Sequence, residues 1–299
     1  MIKVSVIIPT FGNPIFLKKA ISSVLNQTLQ EIELIVVDDN NPNTEARSLT
    51  EKIISKYNNQ NKKIIYIKHS ENKNGAAARN TGIALATGKY ISFLDSDDEY
   101  FKHRIEKCFK KMENSSKEIA GVYTGCEFRR NEKKYHIHKN VKQGNFITQT
   151  LAGKFMFSTG SNIFVRKSVI EELKGFDEKF LRHQDYEFLV RLFERYDLKA
   201  IPEVLVIKNN ENLNLPNVYK MIDIKEQFLH KFNSIINELD HSKQKYIYHS
   251  HYISIAEHAL KTKEFVISSK YYSKAKEYGS MSFRNTYRKI IFTILNFIK

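Results

Sequence analysis

Cysteine is nearly absent from this 299-residue chain, and the two present, Cys108 and Cys126, form no C-x-x-C pair. That excludes a disulfide framework and makes a reducing cytoplasm the expected setting. Five prolines and eleven glycines are too few for a fibrous or low-complexity protein. Long apolar runs are missing as well. Stretches such as Val4–Pro9 fall far below the ~20 residues of a membrane-spanning helix. Met1–Phe11 carries a single lysine and reads directly into a strand, so no signal peptide is expected. At 41% hydrophobic and 27% charged residues, the chain still has material for a core, which excludes wholesale disorder. Its length predicts one large domain, or one domain with an appendage.

Charge is what the sequence has in excess. Lys and Arg number 48 against 33 Asp and Glu, a net +15 with a pI near 9.5. Such a balance suits nucleic acid, an anionic membrane face or a phosphate-bearing substrate, and selects none of them. The excess is uneven. Residues 216–299 hold 14 basic and 7 acidic residues, and the last sixteen hold four basic residues and no acid.

The first hundred residues alternate apolar runs with amphipathic ones. VSVIIP (Val4–Pro9) and IELIVV (Ile32–Val37) read as strands buried on both faces. Asn13-Pro14 supplies a helix start, followed by Phe16, Leu17, Ala20, Ile21, Val24 and Leu25 at helical spacing. A helix over about Thr44–Tyr57, a strand Ile64–Lys68, a helix opening near Ala76 and a strand Tyr90–Leu94 complete the series. This alternation predicts an α/β fold with a mostly parallel sheet and helices on both faces. Beyond Asp98 the spacing predicts helices at Arg104–Met112, Lys167–Leu173 and Gln184–Tyr196, and strands at Gly121–Phe128 and Asn162–Arg166. KKYHIHK (Lys133–Lys139) reads as a hairpin or edge strand. From Pro216 the pattern is helical almost throughout. The polar run before it places a boundary between a sheet domain, 1–215, and a helical C-terminal region, 216–299.

Acidic residues collect at strand ends, which is unexpected in a basic protein. Asp38-Asp39 follow the second strand, and Asp95, Asp97 and Asp98 follow YISFL. Carboxyl ends of parallel strands face the ligand crevice. In extended backbone Asp95 and Asp97 point to one side. Carboxylates with substrate phosphates suit Mg²⁺ or Mn²⁺ rather than zinc. A solvated turn capping the next helix accounts for D-S-D-D equally well.

The string N-G-A-A-A-R-N-T-G-I-A-L-A-T-G-K-Y-I-S-F-L-D-S-D-D (Asn74–Asp98), with VSVIIPTF near the start and IVVDDN after strand two, resembles family 2 glycosyltransferases of GT-A fold. The likeness continues at Gly175-Phe176-Asp177-Glu178 and at His183–Glu187, and so covers about Lys3 to Arg195. It implies that Pro9, Thr10 and Phe11 line the nucleotide base, that Asp39 hydrogen-bonds it and that Arg79 lies near base or phosphate. It also implies that Asp95 touches the ribose and that Asp97 holds a Mn²⁺ or Mg²⁺ ion bridging the diphosphate of a UDP-sugar. General chemistry agrees: a uracil imide N–H needs an acceptor, and a departing diphosphate needs its charge neutralised. The resemblance makes Asp185 the catalytic base of an inverting transfer to a glycan or lipid-linked acceptor, in bacterial surface polysaccharide or glycolipid synthesis. The usual acidic pair at this point is here Gln184-Asp185, and a carboxylate there is also a good helix cap. The Q-x-x-R-W signature of processive synthases is absent, as is tryptophan altogether, so single addition is expected.

Other features weigh less. His136-x-His138 and His249-x-His251 lack partners at zinc spacing. Ser158–Ser161 reads as a sugar-binding loop or a plain turn. The tail Arg284–Lys299 gathers Ile290, Ile291, Ile294, Leu295 and Ile298 on one helical face beside Arg284, Arg288, Lys289 and Lys299. It is too short to span a bilayer, and is expected either to lie on an anionic inner membrane face or to pack on the core or on a second subunit of a homo-oligomer. The competing reading is a basic nucleotide- or nucleic-acid-binding protein without transferase activity. It has no use for Asp95, Asp97 and Asp185, so no nucleic-acid partner is expected.

Overall fold

The computed structural model describes residues 1–58, 64–209 and 216–280. The expected boundary run at 210–215 and the tail from Arg284 lie outside them. In chain order the elements are β1 (Val4–Thr10), α1 (Leu17–Leu25), β2 (Ile32–Asp38), α2 (Glu45–Asn58), β3 (Ile64–Lys68), α3 (Gly75–Leu85), β4 (Tyr90–Phe93), β5 (Glu99–Tyr100), α4 (Arg104–Glu113), β6 (Ile119–Arg130) and β7 (Lys133–His138). They continue with α5 (Ile147–Leu151), β8 (Phe164–Arg166), α6 (Lys167–Glu172), α7 (Gln184–Phe193), β9 (Asp197–Asn209), α8 (Val218–Lys231), α9 (Asn233–Glu238), α10 (His241–Lys261) and α11 (Phe265–Tyr278). The chain divides into two compact units, Met1–Asn145 with Met156–Leu213, and Phe146–Phe155 with Asn214–Lys299.

The first unit is built on one sheet, ordered β3-β2-β1-β4-β8-β6-β9-β5, with β7 paired to β6. β3, β2, β1 and β4 run parallel, each joined to the next in sequence by a helix. β8 then pairs antiparallel with both β4 and β6, so the far half is mixed. The β-branched runs of β1 and β2 are buried along most of their length, as strands covered on both faces require. On α1 the spacing Leu17, Ala20, Ile21, Val24 turns one stripe into the core. Each large side chain so buried contributes roughly 1.5–3 kcal/mol. α3 lies unusually close to the sheet: a Cβ on Gly82 would fall 2.5 Å from Ile7 Cγ2. The small residues of G-A-A-A-R-N-T-G therefore follow from packing. Past α6 the chain turns at Gly175 with φ +67°, a left-handed conformation that glycine adopts without strain at a helix end.

Two features of this topology position the site. The strand order reverses between β1 and β4, and in such sheets ligands bind outside the carboxyl ends at the reversal. Those ends lead into Phe11 and Asp95. The last strand, β9, was not anticipated from the sequence. It runs beside β6 with register shifts near Gly125 and carries Lys208 and Asn209 to the same end.

The second unit is helical. α10 and α11 share a core of Ile253, Ile255, Ala256, Tyr271, Tyr272 and Ala275. α8 and α10 are capped by Asn217 and Asp240, whose side chains accept from Lys220 N and Lys243 N. His251 and His249 engage the carbonyls of Leu151 (2.7 Å) and Ala275 (2.9 Å). Among the described residues no helix is long and apolar enough to cross a membrane. Cys108 and Cys126 are buried free thiols.

Candidate active site

At the end of β1, Thr10 is buried and Phe11 exposed. Thr10 Oγ1 is buried without a hydrogen-bond partner among the described residues. Its carbonyl accepts from Asp39 N (2.9 Å), which joins the first strand end to the second. Asp39 is buried, and both its oxygens are occupied. Lys73 N (2.9 Å) donates to Oδ1, which also pairs with His69 Nδ1 (2.7 Å), while Asn72 Nδ2 (2.8 Å) and Asn74 N (2.9 Å) donate to Oδ2. A carboxylate offers about four lone-pair sites. Direct contact of Asp39 with a base therefore requires one of these partners to give way. As it stands, Asp39 holds the 72–74 loop in place. That loop ends in Asn74, with φ +115°, whose side chain accepts from Ala76 N and Ala77 N and so starts α3. Asp38 turns inward: Arg47 Nε lies 3.1 Å from it and Tyr66 donates its hydroxyl (2.6 Å).

Arg79, one turn into α3, reaches across to the second cluster. Its Nη2 donates to Asp95 Oδ1 (2.6 Å) and its Nη1 to Gln184 Oε1 (3.0 Å). Burial opposes ionisation of Asp95, but the Arg79 and Lys208 charges outweigh it and hold the carboxyl below the usual range. Asp98 is fully buried. Ser161 Oγ (2.6 Å) and Thr159 Oγ1 (3.0 Å) donate to its Oδ2, and Asn209 N (3.1 Å) to its Oδ1. Lys208 Nζ stands 4.0 Å from Asp98 Oδ2 and donates to Thr159 Oγ1 at 3.3 Å. Asp98, with Asp95 and Asp97 adding to it, raises Lys208 above its ordinary range despite burial, so Lys208 is a fixed cation.

Asp97 behaves differently. Crowding by the protein, then the charges of Asp98 and Asp95, push it up to about 7. Its surface is exposed, so water offsets much of the first cause, and the repulsion between carboxylates is the part that counts. A divalent cation would relieve that repulsion. Among the described residues no group of three or more His, Cys, Asp or Glu could hold a metal. The residues present fit a hard cation held by Asp97 with most ligands from substrate phosphates and water, as is usual for Mg²⁺.

Asp185 lies at the first turn of α7, half-buried. Its Oδ1 accepts from Tyr186 N (2.9 Å). Burial raises its pKa, and the Tyr186 amide and the Arg79 charge oppose the rise without cancelling it. A carboxylate so shifted is a stronger base. Glu187, the neighbouring acid, is fully buried and gripped by Arg191 at 2.7 Å through both oxygens. Asp95, Arg79 and Asp185 converge on Gly160: a Cβ built there would lie 3.8 Å from Asp95 Oδ2, 3.8 Å from Arg79 Nη2 and 3.9 Å from Asp185 Oδ2.

The expected residues thus fall into two adjoining clusters bridged by α3. One holds Thr10 and Asp39 with Phe11 and Pro9 beside them; the other holds Arg79, Asp95, Asp97 and Asp185. Lys208 was not singled out from the sequence, while Asp98 entered only as part of the acidic run and Gly160 only within the Ser158–Ser161 loop. Asp98 had a signal, since it completes D-S-D-D. Lys208 had none.

Residues 5–174 match the model of the family described as Glycosyl transferase family 2. An uncharacterized glycosyltransferase of Methanocaldococcus jannaschii, MJ1057, is 34% identical over 217 residues, covering 70% of this chain and 72% of that one. The GalNAc(5)-diNAcBac-PP-undecaprenol beta-1,3-glucosyltransferase of Campylobacter jejuni is 30% identical, covering 60% of this chain and 56% of its own. In structure the chain is similar to S. aureus TarS 1-349 in complex with UDP-GlcNAc, with TM-score 0.56 at 14% identity, covering 92% and 91% of the two chains. That likeness bears out the GT-A architecture. Because the family match spans more than half of the chain and runs through both strand ends that build the crevice, this protein belongs to glycosyl transferase family 2.

Proposed function

We propose that the protein is an inverting glycosyltransferase that moves a hexosyl or N-acetylhexosaminyl group from a UDP-sugar to a glycan or lipid-linked acceptor. The observation that carries this reading is the convergence of Asp185, Asp95 and Arg79 on one point beside Gly160. Asp185 Oδ2 takes the proton of the acceptor hydroxyl as that oxygen bonds to the anomeric carbon. The bond from that carbon to the diphosphate breaks, and the electron pair leaves with the diphosphate. Transfer in one displacement inverts the anomeric centre. Pro9, Thr10, Phe11 and the Asp39-anchored loop take the nucleoside, and Asp95 the ribose. Arg79 and Lys208 supply fixed positive charge for the diphosphate, in the manner of preorganised phosphoryl clamps. A Mn²⁺ or Mg²⁺ ion at Asp97, when bound, neutralises further charge on the leaving group.

UDP-GlcNAc bound to TarS supports a UDP-sugar donor, and the substrate named for the Campylobacter relative supports a lipid-linked acceptor. The setting that follows is synthesis of bacterial surface polysaccharide, capsule or glycolipid at the inner membrane face, the enzyme docked peripherally through the tail 284–299. The alternative, a basic nucleotide- or nucleic-acid-binding protein, is disfavoured by family membership and by three acids at the crevice. Isothermal titration with UDP, UDP-glucose, UDP-galactose and their N-acetyl forms, with Mn²⁺ present, tests the reading. Binding of UDP and of at least one UDP-sugar is expected; no binding of any would refute it.

A further inference from the structure

Gly160 occupies the middle of the acidic cluster, and neither its backbone nor its packing accounts for the missing side chain. It opens a short 3-10 turn (Gly160–Asn162), and it is not among the positive-φ glycines. A Cβ there would meet Arg79 Nη2, Asp95 Oδ2 and Asp185 Oδ2 at 3.8, 3.8 and 3.9 Å, which is ordinary contact, so alanine fits the protein without overlap. The segment around it cannot easily shift to fill the gap. Thr159 and Ser161 are tied to buried Asp98, and Asn162 Nδ2 donates to the carbonyls of Thr124 (2.6 Å) and Phe157 (2.9 Å). What glycine preserves is the space itself, a methyl-sized opening walled by two carboxylates and a guanidinium. Acceptor atoms face it: Asp185 Oδ2 has no protein hydrogen-bond donor among the described residues, and Asp95 Oδ2 has only Thr159 at 3.5 Å. Oxygens left in this way suit hydroxyl donors from a ligand.

We propose that Gly160 is a specificity-determining residue, kept bare so that the transferred sugar of the donor can seat between Asp95 and Asp185. A methyl group at this position narrows the space between Asp95 and Asp185 that the sugar would enter, while meeting Asp95 and Arg79 only at ordinary contact distance, so that neither has to move from its place beside the nucleotide. The inference rests on the nucleotide-sugar reading above, and the two can fail separately.

The test is calorimetric titration of the wild type and Gly160→Ala with UDP, and with UDP-glucose and UDP-N-acetylglucosamine, with melting temperatures measured beside them. The expected result is an unchanged melting temperature, a UDP Kd within about twofold of wild type, and a rise of tenfold or more in the Kd of whichever UDP-sugar the wild type binds. Equal binding of UDP-sugar by the two proteins overturns the proposal. So does a parallel loss of UDP and UDP-sugar, which makes Gly160 a requirement of the nucleotide or of the fold. A wild type that binds none of the three ligands defeats the nucleotide-sugar reading first, and this inference with it.

Discussion

Lys225 gives a sharp energetic test of the helical unit. It lies on α8 with only 8% of its surface exposed, and Gly153 offers no side chain beside it: a Cβ there would sit 3.8 Å from Lys225 Nζ. Burial, and after it the like charge of Lys154, lower its pKa from 10.5 to about 8. The unfolded chain therefore binds more protons than the folded one between these values, so stability rises as pH climbs from about 8 to 10.5. Below pH 8 the folded state carries the whole cost. At 1.36 kcal/mol per pH unit, the difference between 10.5 and about 8 amounts to roughly 3 kcal/mol. Lys225→Met keeps length and helix propensity while removing the charge. Urea unfolding followed by circular dichroism should show the variant more stable at pH 7 by up to roughly 3 kcal/mol, with the gain shrinking toward zero near pH 10.5. Comparing variant with wild type at each pH cancels the other groups that titrate there. A variant less stable than wild type at pH 7, or a difference that ignores pH, would refute the reasoning.

Mn²⁺ or Mg²⁺ should tighten UDP binding, and Asp97→Ala should abolish the gain. Because burial and the charges of Asp98 and Asp95 raise Asp97, protons compete with the metal as pH falls, and the metal effect should be larger at pH 8 than at pH 6. Equal UDP affinity with and without EDTA in the wild type would contradict this. The full chain should co-sediment with anionic liposomes in a salt-sensitive way, and truncation after Ser282 should release it. Indifference of the full chain to the liposomes would assign the tail to a protein contact.

The half of the fold from β1 to β4 was legible because its signals are local. β-Branched runs, an Asn-Pro start and an alanine-rich helix each declare themselves within a dozen residues. β9 was not legible. Its sequence, DLKAIPEVLVIKN, carries Pro202 in its interior, alternates only over 197–200 and then runs apolar over 204–207, and it bends beside the register shifts of β6. Losing β9 meant losing Lys208, whose importance lies in a 4.0 Å approach to a residue 110 positions away. The residues of D-S-D-D were visible as acids, but their separate fates were not. Asp98 is buried by Ser161, Thr159 and Asn209, Asp95 is paired with Arg79, and Asp97 is left outward. Each fate is decided by partners distant in sequence. Phe146–Phe155 belongs to the helical unit for a similar reason, through contacts such as that of His251 with Leu151.

The central claim is that Asp185 is the base. Asp185→Asn keeps shape and hydrogen bonding while removing the carboxylate. With the donor that binds best, kcat should fall by ~10²-fold or more, the usual share of a general base, with donor Kd near native. Since burial raises Asp185, the wild-type rate should also fall on the acid side through a pKa above the 3.8 of an ordinary aspartate, and the variant should lose that limb. A variant with near-native turnover and an unchanged acid limb would contradict the account, and Glu187, locked by Arg191, would not rescue it.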